Sequence, residues 1–368
     1  MNIEVNELLE KSYRKESPFY IFGAGARGRQ CSELCLHVRL PIAFFFDNNE
    51  KLWGKNVVDN VKCCNYQENT VDKNGLCCVC VAKEAETVKN QLREAGFEKV
   101  IDYDELFDSD WIIRRFYNHD FILGIPYNPT ICVETNKKSA GVNDKKIAIY
   151  TCVLGGYDNL YLPDFDFAEG TDYYIITDRM DIDVGNVNLL HIDDAVPERL
   201  TNNTIKNRYC KMHGKEIFPE YNYSIYVDGN CHIKRDISQY VNLLSDYGLA
   251  IHTHDNRHCI YAEGVVLTLI KKGDNECIKQ QMIQYMKEGM PRNFGLIAGG
   301  LIVRDHNNHI ADKIMHEWYE EFMKGEKRDQ LSFSYVVWKN GLDMNKLTTL
   351  NGGKSRLENA DLEIVQHR

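Results

Sequence analysis

The sequence predicts a two-domain α/β protein: a small parallel sheet at the amino end and a larger mixed α/β domain after it. Three observations predict this. Short apolar, β-prone runs alternate with helical stretches between Phe19 and Ile101, the rhythm of strand–helix–strand units. The alternation stops between residues 107 and 146 and resumes at Ile147 with a new strand. And 368 residues exceed what one ordinary core organises. The expected parts are 1–110, a connecting segment 111–145, a second domain 146–345 and a tail 346–368.

A hydrophobic fraction of 43% with 11% aromatics marks a folded chain, not a disordered one. Net charge is −10, with 54 acidic residues against 44 basic, which argues against a nucleic-acid partner. No apolar stretch reaches 18 residues, so no membrane span is expected, and residues 1–17 are too polar for a signal peptide. Thirteen cysteines, an odd number, sit largely in apolar runs (Cys77, Cys78, Cys80, Cys152), with no repeated Cys-x-x-Cys pair. The expectation is reduced thiols packed as small hydrophobes, in a cytoplasmic setting.

In the first domain, Phe19-Tyr-Ile-Phe22 reads as a strand and runs straight into Gly23-Ala-Gly-Ala-Arg-Gly28, which opens a helix over 29–38. A second strand, 42–46, ends in Asp47, 24 residues after Gly23. A third, 76–81, precedes a helix over 83–95, and Lys99-Val-Ile101 closes the series. Strand, G-x-G-x-x-G, helix, strand and acidic residue form the dinucleotide fingerprint, so a Rossmann-like sheet is expected. Gly23, Gly25, Gly28 and Asp47 are its candidate site for NAD or another nucleotide; scaffolding or oligomerisation is the other reading. Asp47-Asn-Asn49 and Trp53-Gly54 complete a pattern that resembles the small Rossmann-like domains of bacterial sugar-modifying and capsule-synthesis enzymes. Residues 111–117 read as a short helix packing on this domain, and 135–146 as a linker with the boundary near 143.

In the second domain, the strand 147–153 runs into Leu154-Gly-Gly-Tyr-Asp158, whose glycines permit either a plain turn or close approach of a nucleotide. Further strands are read at 173–177 and 187–190. Lys206 to His213 reads as a helix with Arg208 and Lys211 on one face, a cationic pair suited to a diphosphate or simply solvated. Tyr223-Ser-Ile-Tyr-Val-Asp-Gly-Asn230 is an apolar strand ending in an acidic turn, so Asp228 and Asn230 lie where open α/β sheets bind ligands. Oxygen ligands two apart suit Mg²⁺ or Mn²⁺, although Asp-Gly-Asn is also an ordinary turn. His252, His254 and His258 fit no common zinc spacing; a polar loop presenting His254 and Arg257 to substrate is the better reading. The helix over 275–289 and the stripe Ile310, Ile314, Trp318, Phe322 are core. Gly299 and Gly300 interrupt an apolar run, through either a bulge or a backbone approached by a sugar. Asp329, in Lys327-Arg-Asp-Gln-Leu-Ser-Phe333, either caps a helix or meets a sugar hydroxyl.

Taken in order, strand plus Gly-Gly-Tyr-Asp, Arg-x-x-Lys-x-His, Phe-Pro, Tyr-Ser-x-x-x-Asp-Gly, His-x-x-Arg, Arg-x-His and Arg-Asp-Gln-x-Ser-Phe span residues 147–340. This series resembles the glycosyltransferase-like domain of plant pectin and mucilage galacturonosyltransferases and of bacterial surface-polysaccharide clusters. The resemblance implies a GT-A-like mixed α/β fold, a UDP-sugar donor, Mn²⁺ or Mg²⁺, and the retaining outcome of family 8 transferases. It implies Asp228 at the metal; Arg208 and Lys211 at the diphosphate; Gly155, Gly156, Tyr157 and Asp158 near the nucleotide; and Gly299, Gly300 and Arg304 along the donor. Asp329, Arg328, Arg257, His254 and Glu263 are the candidate catalytic set. Two departures stand out. Asn230 replaces the second metal aspartate, and the only histidine after Asp329 is His367, leaving His306 as the candidate third metal ligand.

The function expected is transfer of a sugar from UDP-sugar to a glycan or lipid-linked acceptor in bacterial capsule or lipopolysaccharide assembly. Peripheral membrane association and a homo-oligomer are compatible with it. An NAD-dependent nucleotide-sugar-modifying enzyme is the rival, but it needs a Tyr-x-x-x-Lys pair, and Tyr103 has Phe107 four residues on. A non-catalytic nucleotide-sugar-binding scaffold is the third reading.

Overall fold

The computed structural model describes residues 3–119, 145–158, 160–185 and 187–365. The chain divides into two compact units: the described residues up to 119 together with Tyr261–Gly289, and the described residues from 145 to Ile260 together with those from Met290 onward. Most of the expected connecting segment, including the linker reading at 135–146 and the boundary near 143, lies outside the described residues.

The first unit is built on strands whose apolar runs are covered on both faces, as parallel sheets require. They are β1 (Phe19–Phe22), β2 (Phe44–Phe46), β3 (Asn56–Val58), β4 (Val61–Cys64), β5 (Leu76–Val79) and β6 (Val100–Asp102), in the order β3-β4-β2-β1-β5-β6. All pairings are parallel except the β3/β4 edge hairpin, and every residue of β1 and β5 is buried. Counted among parallel strands alone, this is the third-second-first-fourth-fifth order of doubly wound nucleotide-binding sheets. The helices are α1 (Ile3–Tyr13), α2 (Ala26–His37), α3 (Ala85–Glu94), α4 (Tyr103–Phe107) and α5 (Asp110–Tyr117). Helix α4 starts at a capping box between Asp102 and Glu105. Helix α5 buries Trp111, Ile112 and Phe116, and the Trp111 indole donates to Glu10 on α1. The expected short helix therefore belongs to this unit.

Gly28 shows why the fingerprint glycines persist here. A Cβ at that position would stand 1.8 Å from the Gly23 carbonyl oxygen, a backbone contact that cannot move aside. Gly28→Ala is expected to cost about 3 kcal/mol through overpacking, read as a lowered denaturation midpoint.

The second unit is a mixed sheet. It comprises β7 (Ile147–Val153), β8 (Thr171–Thr177), β9 (Asn188–His191), β10 (Tyr223–Val227), β12 (Leu249–Thr253) and β13 (Ile297–Asp305), with a separate pair of β11 (Cys231–Ile233) and β14 (Leu362–Ile364). The order is β12-β13-β10-β7-β8-β9. Strand β13 runs antiparallel to both β10 and β12, and the remaining pairings are parallel. The carboxyl ends of β7, β10 and β12 therefore lie along one edge. Ile149, Ile175, Ile225 and Val303 are fully buried in the core of this sheet.

Around it lie α6 (Ile192–Ala195), α7 (Asn203–Met212) and α8 (Gly214–Ile217). The segment Tyr261–Gly289, with most of α9 (Ile260–Leu269) and all of α10 (Asn275–Glu288), groups with the first unit. The second unit resumes with α11 (His309–Lys324), whose Ile314, Trp318 and Phe322 are fully buried, and α12 (Gln330–Lys339).

Three expectations need correction. The domain expected over 146–345 is interrupted, because 261–289 packs elsewhere. The stretch 251–263 is not one polar loop: Leu249–Thr253 is a buried strand and a helix begins at Ile260. The expected tail is folded, since β14 pairs with β11 and Leu350 and Leu362 are buried.

Candidate functional site

The pairing of β10 with β13 reaches Asp228, whose N–H donates to the Gly300 carbonyl at 2.8 Å; the Cys231 N–H then closes a turn on the Asp228 carbonyl at 2.9 Å. Tyr226, two residues earlier and so on the same face, donates its hydroxyl to Asp228 Oδ1 at 2.9 Å. Asp228 thus stands at the carboxyl edge of the sheet, partly exposed.

Helix α7 begins at Asn202, whose side chain accepts the Ile205 N–H. Its Arg208 and Lys211 share a face. Lys211 Nζ lies 2.6 Å from Asp329 Oδ2 and 3.6 Å from Asp228 Oδ1, and Arg208 Nε lies 3.4 Å from Asp329 Oδ2. Asp329 precedes α12, yet its side chain makes no capping bond; it turns instead to the two cations. Burial works to raise its pKa, but Arg208 and Lys211 outweigh burial and hold it well below the usual carboxylate range. Burial likewise opposes the Arg208 charge, and Asp329 and Asp228 more than restore it. Four expected residues, Arg208, Lys211, Asp228 and Asp329, therefore converge.

The paired glycines on β13 open this cluster. A Cβ on Gly299 would lie 3.2 Å from Lys211 Nζ, and one on Gly300 would lie 2.7 Å from an Arg356 guanidinium nitrogen and 3.4 Å from Asp228 Oδ2. Arg356, inside the expected tail, is the third cation. It is oriented by Asp255, with Nε 3.3 Å from Oδ2, and Asp255 also receives the Ser355 hydroxyl. Neither Arg356 nor Asp255 was among the expected residues. Nothing in the local pattern signals them, because their pairing spans about a hundred residues.

At the end of β7, Gly155 and Gly156 both have left-handed backbone, which favours glycine. The Gly155 N–H donates to Asp178, Tyr157 is exposed, and Asp158 lies against Gly229, its Oδ2 3.1 Å from where a Cβ there would sit. These residues occupy the same edge as Asp228. His254 follows β12 at that edge, but its Nδ1 accepts the N–H groups of Asn256 and Arg257, so it shapes the turn that carries Asp255. His252 is buried in β12 beside Asn359, so the three histidines do not form a shared centre. Arg328 is half-buried beside Asp329, and its carbonyl accepts the Leu331 N–H.

Other expected residues are elsewhere. The Asn230 amide donates to the Val365 carbonyl at 3.2 Å, so this side chain ties down the terminal strand and is not set beside Asp228 as a ligand. His306 sits at the amino end of β10, with Nδ1 at the Tyr221 carbonyl (2.9 Å) and Nε2 at the Ser224 hydroxyl (2.8 Å); both nitrogens are occupied, at the opposite edge from Asp228. Arg304, level with Ser224, is 3% exposed and donates to the Lys211 carbonyl at 2.8 Å. It holds the end of α7 from beneath and does not face a donor. Glu263 lies on α9 in the part of the chain that groups with the first unit. The shallow cleft lined by Met212, Arg304, His306 and His316 is also at the amino edge and is not this site.

Burial lowers the pKa of His213, His252 and His306 to about 4 each. Their unfolded-state value is higher, so the unfolded chain binds more protons between about 6.5 and 4. Stability is expected to be intact above that window and to fall as pH drops through it. Thermal melting across the window checks this, and a flat profile would contradict it.

In the first unit, the Asp47 carboxylate is already engaged: Oδ2 accepts the Ala24 N–H and Oδ1 the Asn49 N–H, both at 2.9 Å. It clamps the glycine loop to the end of β2 and is not held out for a ribose. A Cβ on Gly25 would meet open space.

The manganese or magnesium expected from the sequence can be tested against these residues. With Asn230 and His306 turned away, Asp228 remains, with Asp158 beside the next residue. One Asp228 oxygen faces the Tyr226 hydroxyl and Lys211, and the other lies by Gly300 near Arg356. Among the described residues, no three ligating groups meet here. The arrangement does not fit a metal held by these protein groups alone.

Residues 184–352 match the TOD1/MUCI70 glycosyltransferase-like domain. That stretch holds Arg208, Lys211, Asp228, Asp255, Gly299, Gly300 and Asp329, whereas Arg356 lies just past it. No curated protein matches the chain. An apo structure of WbbM, a bifunctional glycosyltransferase, is similar at 12% identity and a TM-score of 0.35 over 72% of this chain and 51% of that one. The chain therefore spans about half of that protein's length. Among the described residues, no helix is long and apolar enough to cross a membrane.

Proposed function

We propose that the glycosyltransferase-like domain transfers a sugar from a UDP-sugar to a glycan or lipid-linked saccharide in surface-polysaccharide assembly, with retention of configuration. The observation that carries this reading is the convergence of Arg208, Lys211 and Arg356 at the carboxyl edge of the sheet, beneath two residues that lack side chains. A departing nucleoside diphosphate gains negative charge as its bond to the sugar breaks, and cations already in place stabilise that charge more than the ground state. Gly299 and Gly300 leave the path by which phosphate oxygens reach Lys211 and Arg356. Asp228, steadied by Tyr226, is placed to accept a hydrogen bond from a sugar hydroxyl. Asp329 keeps both α7 cations charged and aimed. The leaving phosphate takes the acceptor proton.

The test is a panel of nucleotide sugars incubated with the full chain and followed by mass spectrometry. One UDP-sugar is expected to release or transfer its sugar, and Lys211→Met to slow this by about a hundredfold or more. If no nucleotide sugar is consumed or raises the melting temperature, the reading fails. Gly300→Ala should displace the Arg356 guanidinium, the flexible end of a side chain, so stability changes little while the donor KM rises about tenfold. An unchanged KM would mean the path to Arg356 is not used.

A further inference from the structure

The first unit holds a second concentration of reactive side chains. Cys31 and Cys35 are one turn apart on α2, so their thiols share a face. Cys78 lies on β5 and Cys80 just beyond it; two apart, they point to one side of the sheet, while Cys77 and Val79 pack into the aromatic cluster on the other. The sulfurs of Cys31, Cys78 and Cys80 lie within 4.8 Å of one another, with Cys78 and Cys80 at 3.6 Å. Cys35 is within hydrogen-bonding reach of Cys31. None of the four is more than 3% exposed.

A tetrahedral zinc with Zn–S bonds of about 2.3 Å has sulfur–sulfur edges of about 3.8 Å. The Cys78–Cys80 spacing is close to that edge, the Cys31 sulfur completes a group of three, and Cys35 stands beside Cys31 as the nearest source of a fourth ligand. With Cys35 as the fourth ligand the chelate would be closed, as in structural sites. The other metal-ligating cluster among the described residues, Glu216, Asp312 and His316, is already neutralised, with Lys215 at 2.9 Å from Asp312 and His316 at 2.7 Å from Glu216. We propose that Cys31, Cys35, Cys78 and Cys80 form a structural site for a thiophilic cation, Zn²⁺ by geometry, that pins α2 to β5 behind the glycine loop. Binding releases the thiol protons and fixes the helix whose first turn packs on Gly23. The four thiols are free and buried, as expected from the sequence, and the site adds a ligating role to their packing.

The full chain, expressed with zinc in the medium and gel-filtered, is assayed for metal by plasma mass spectrometry, with about one zinc per chain expected. Cys31→Ser and Cys78→Ser should each empty the site, whereas Cys64→Ser, a thiol outside the cluster, should keep its zinc. Because the serine variants can fail to fold, the unaltered chain is also grown with cobalt. A sulfur-to-cobalt charge-transfer band of tetrahedral intensity is then expected. A folded, metal-free chain with no cobalt band overturns the proposal, as does a disulfide among the four in the intact mass.

Discussion

Asp329→Asn is expected to cost about 3–5 kcal/mol of folding stability, the penalty for breaking a buried ion pair from one side. Asparagine preserves shape and removes charge. Lys211, 2% exposed, and Arg208 would then face each other with no buried counterion between them, since Asp228 is partly exposed and 3.6 Å from Lys211 at best. Pairing the change with Lys211→Met should recover part of the loss, because a missing partner, not a missing bond, is what destabilises. Urea unfolding at neutral pH measures both. Asp329 has a depressed folded pKa, so its contribution is present above the ordinary carboxylate range and fades as pH falls below about 4 toward the folded value. The difference between parent and variant should therefore shrink on acidification. A loss under about 1 kcal/mol at neutral pH would mean that the network is solvated in a way its burial does not suggest.

How much of this was legible in the sequence depends on how local the signal was. The ends of β1, β7 and β10 were readable because a short, continuous apolar run closed by glycine or aspartate carries its own punctuation. Arg208 and Lys211 were readable as one helix face, and Asp228 as a strand end. His306 and Arg304 misled for a geometric reason. They follow Gly299 and Gly300 closely in sequence, but β13 is nine residues long and antiparallel, so a few residues along it cross the whole sheet to the other edge. Asn230 misled because the turn after Asp228 feeds β11, whose partner strand claims the amide. That partner, β14, lies about 130 residues away in a polar stretch with only scattered apolar residues, which no periodicity reveals. Arg356 was lost with it.

Nucleoside-diphosphate binding is expected to survive chelation and to weaken sharply when the charge at position 356 is removed. Arg356 is partly exposed, and its guanidinium is aimed by Asp255, so it is the cation most open to a ligand. A charge-assisted hydrogen bond is worth about 1.5–3 kcal/mol, which corresponds to a ten- to hundredfold rise in Kd for UDP in Arg356→Gln. Asp255→Asn, which removes only the aim, should have a smaller effect. Stability should fall less in Arg356→Gln than in Asp329→Asn, because the Asp255 carboxylate left behind is partly exposed and keeps the Ser355 hydroxyl. Calorimetric titration of UDP in EDTA and then in manganese separates two ways of meeting the diphosphate charge. Similar affinity in both places the load on Arg208, Lys211 and Arg356. Binding that appears only with manganese would show that Asp228 recruits a cation despite its neighbours, and would return the site to metal-dependent chemistry.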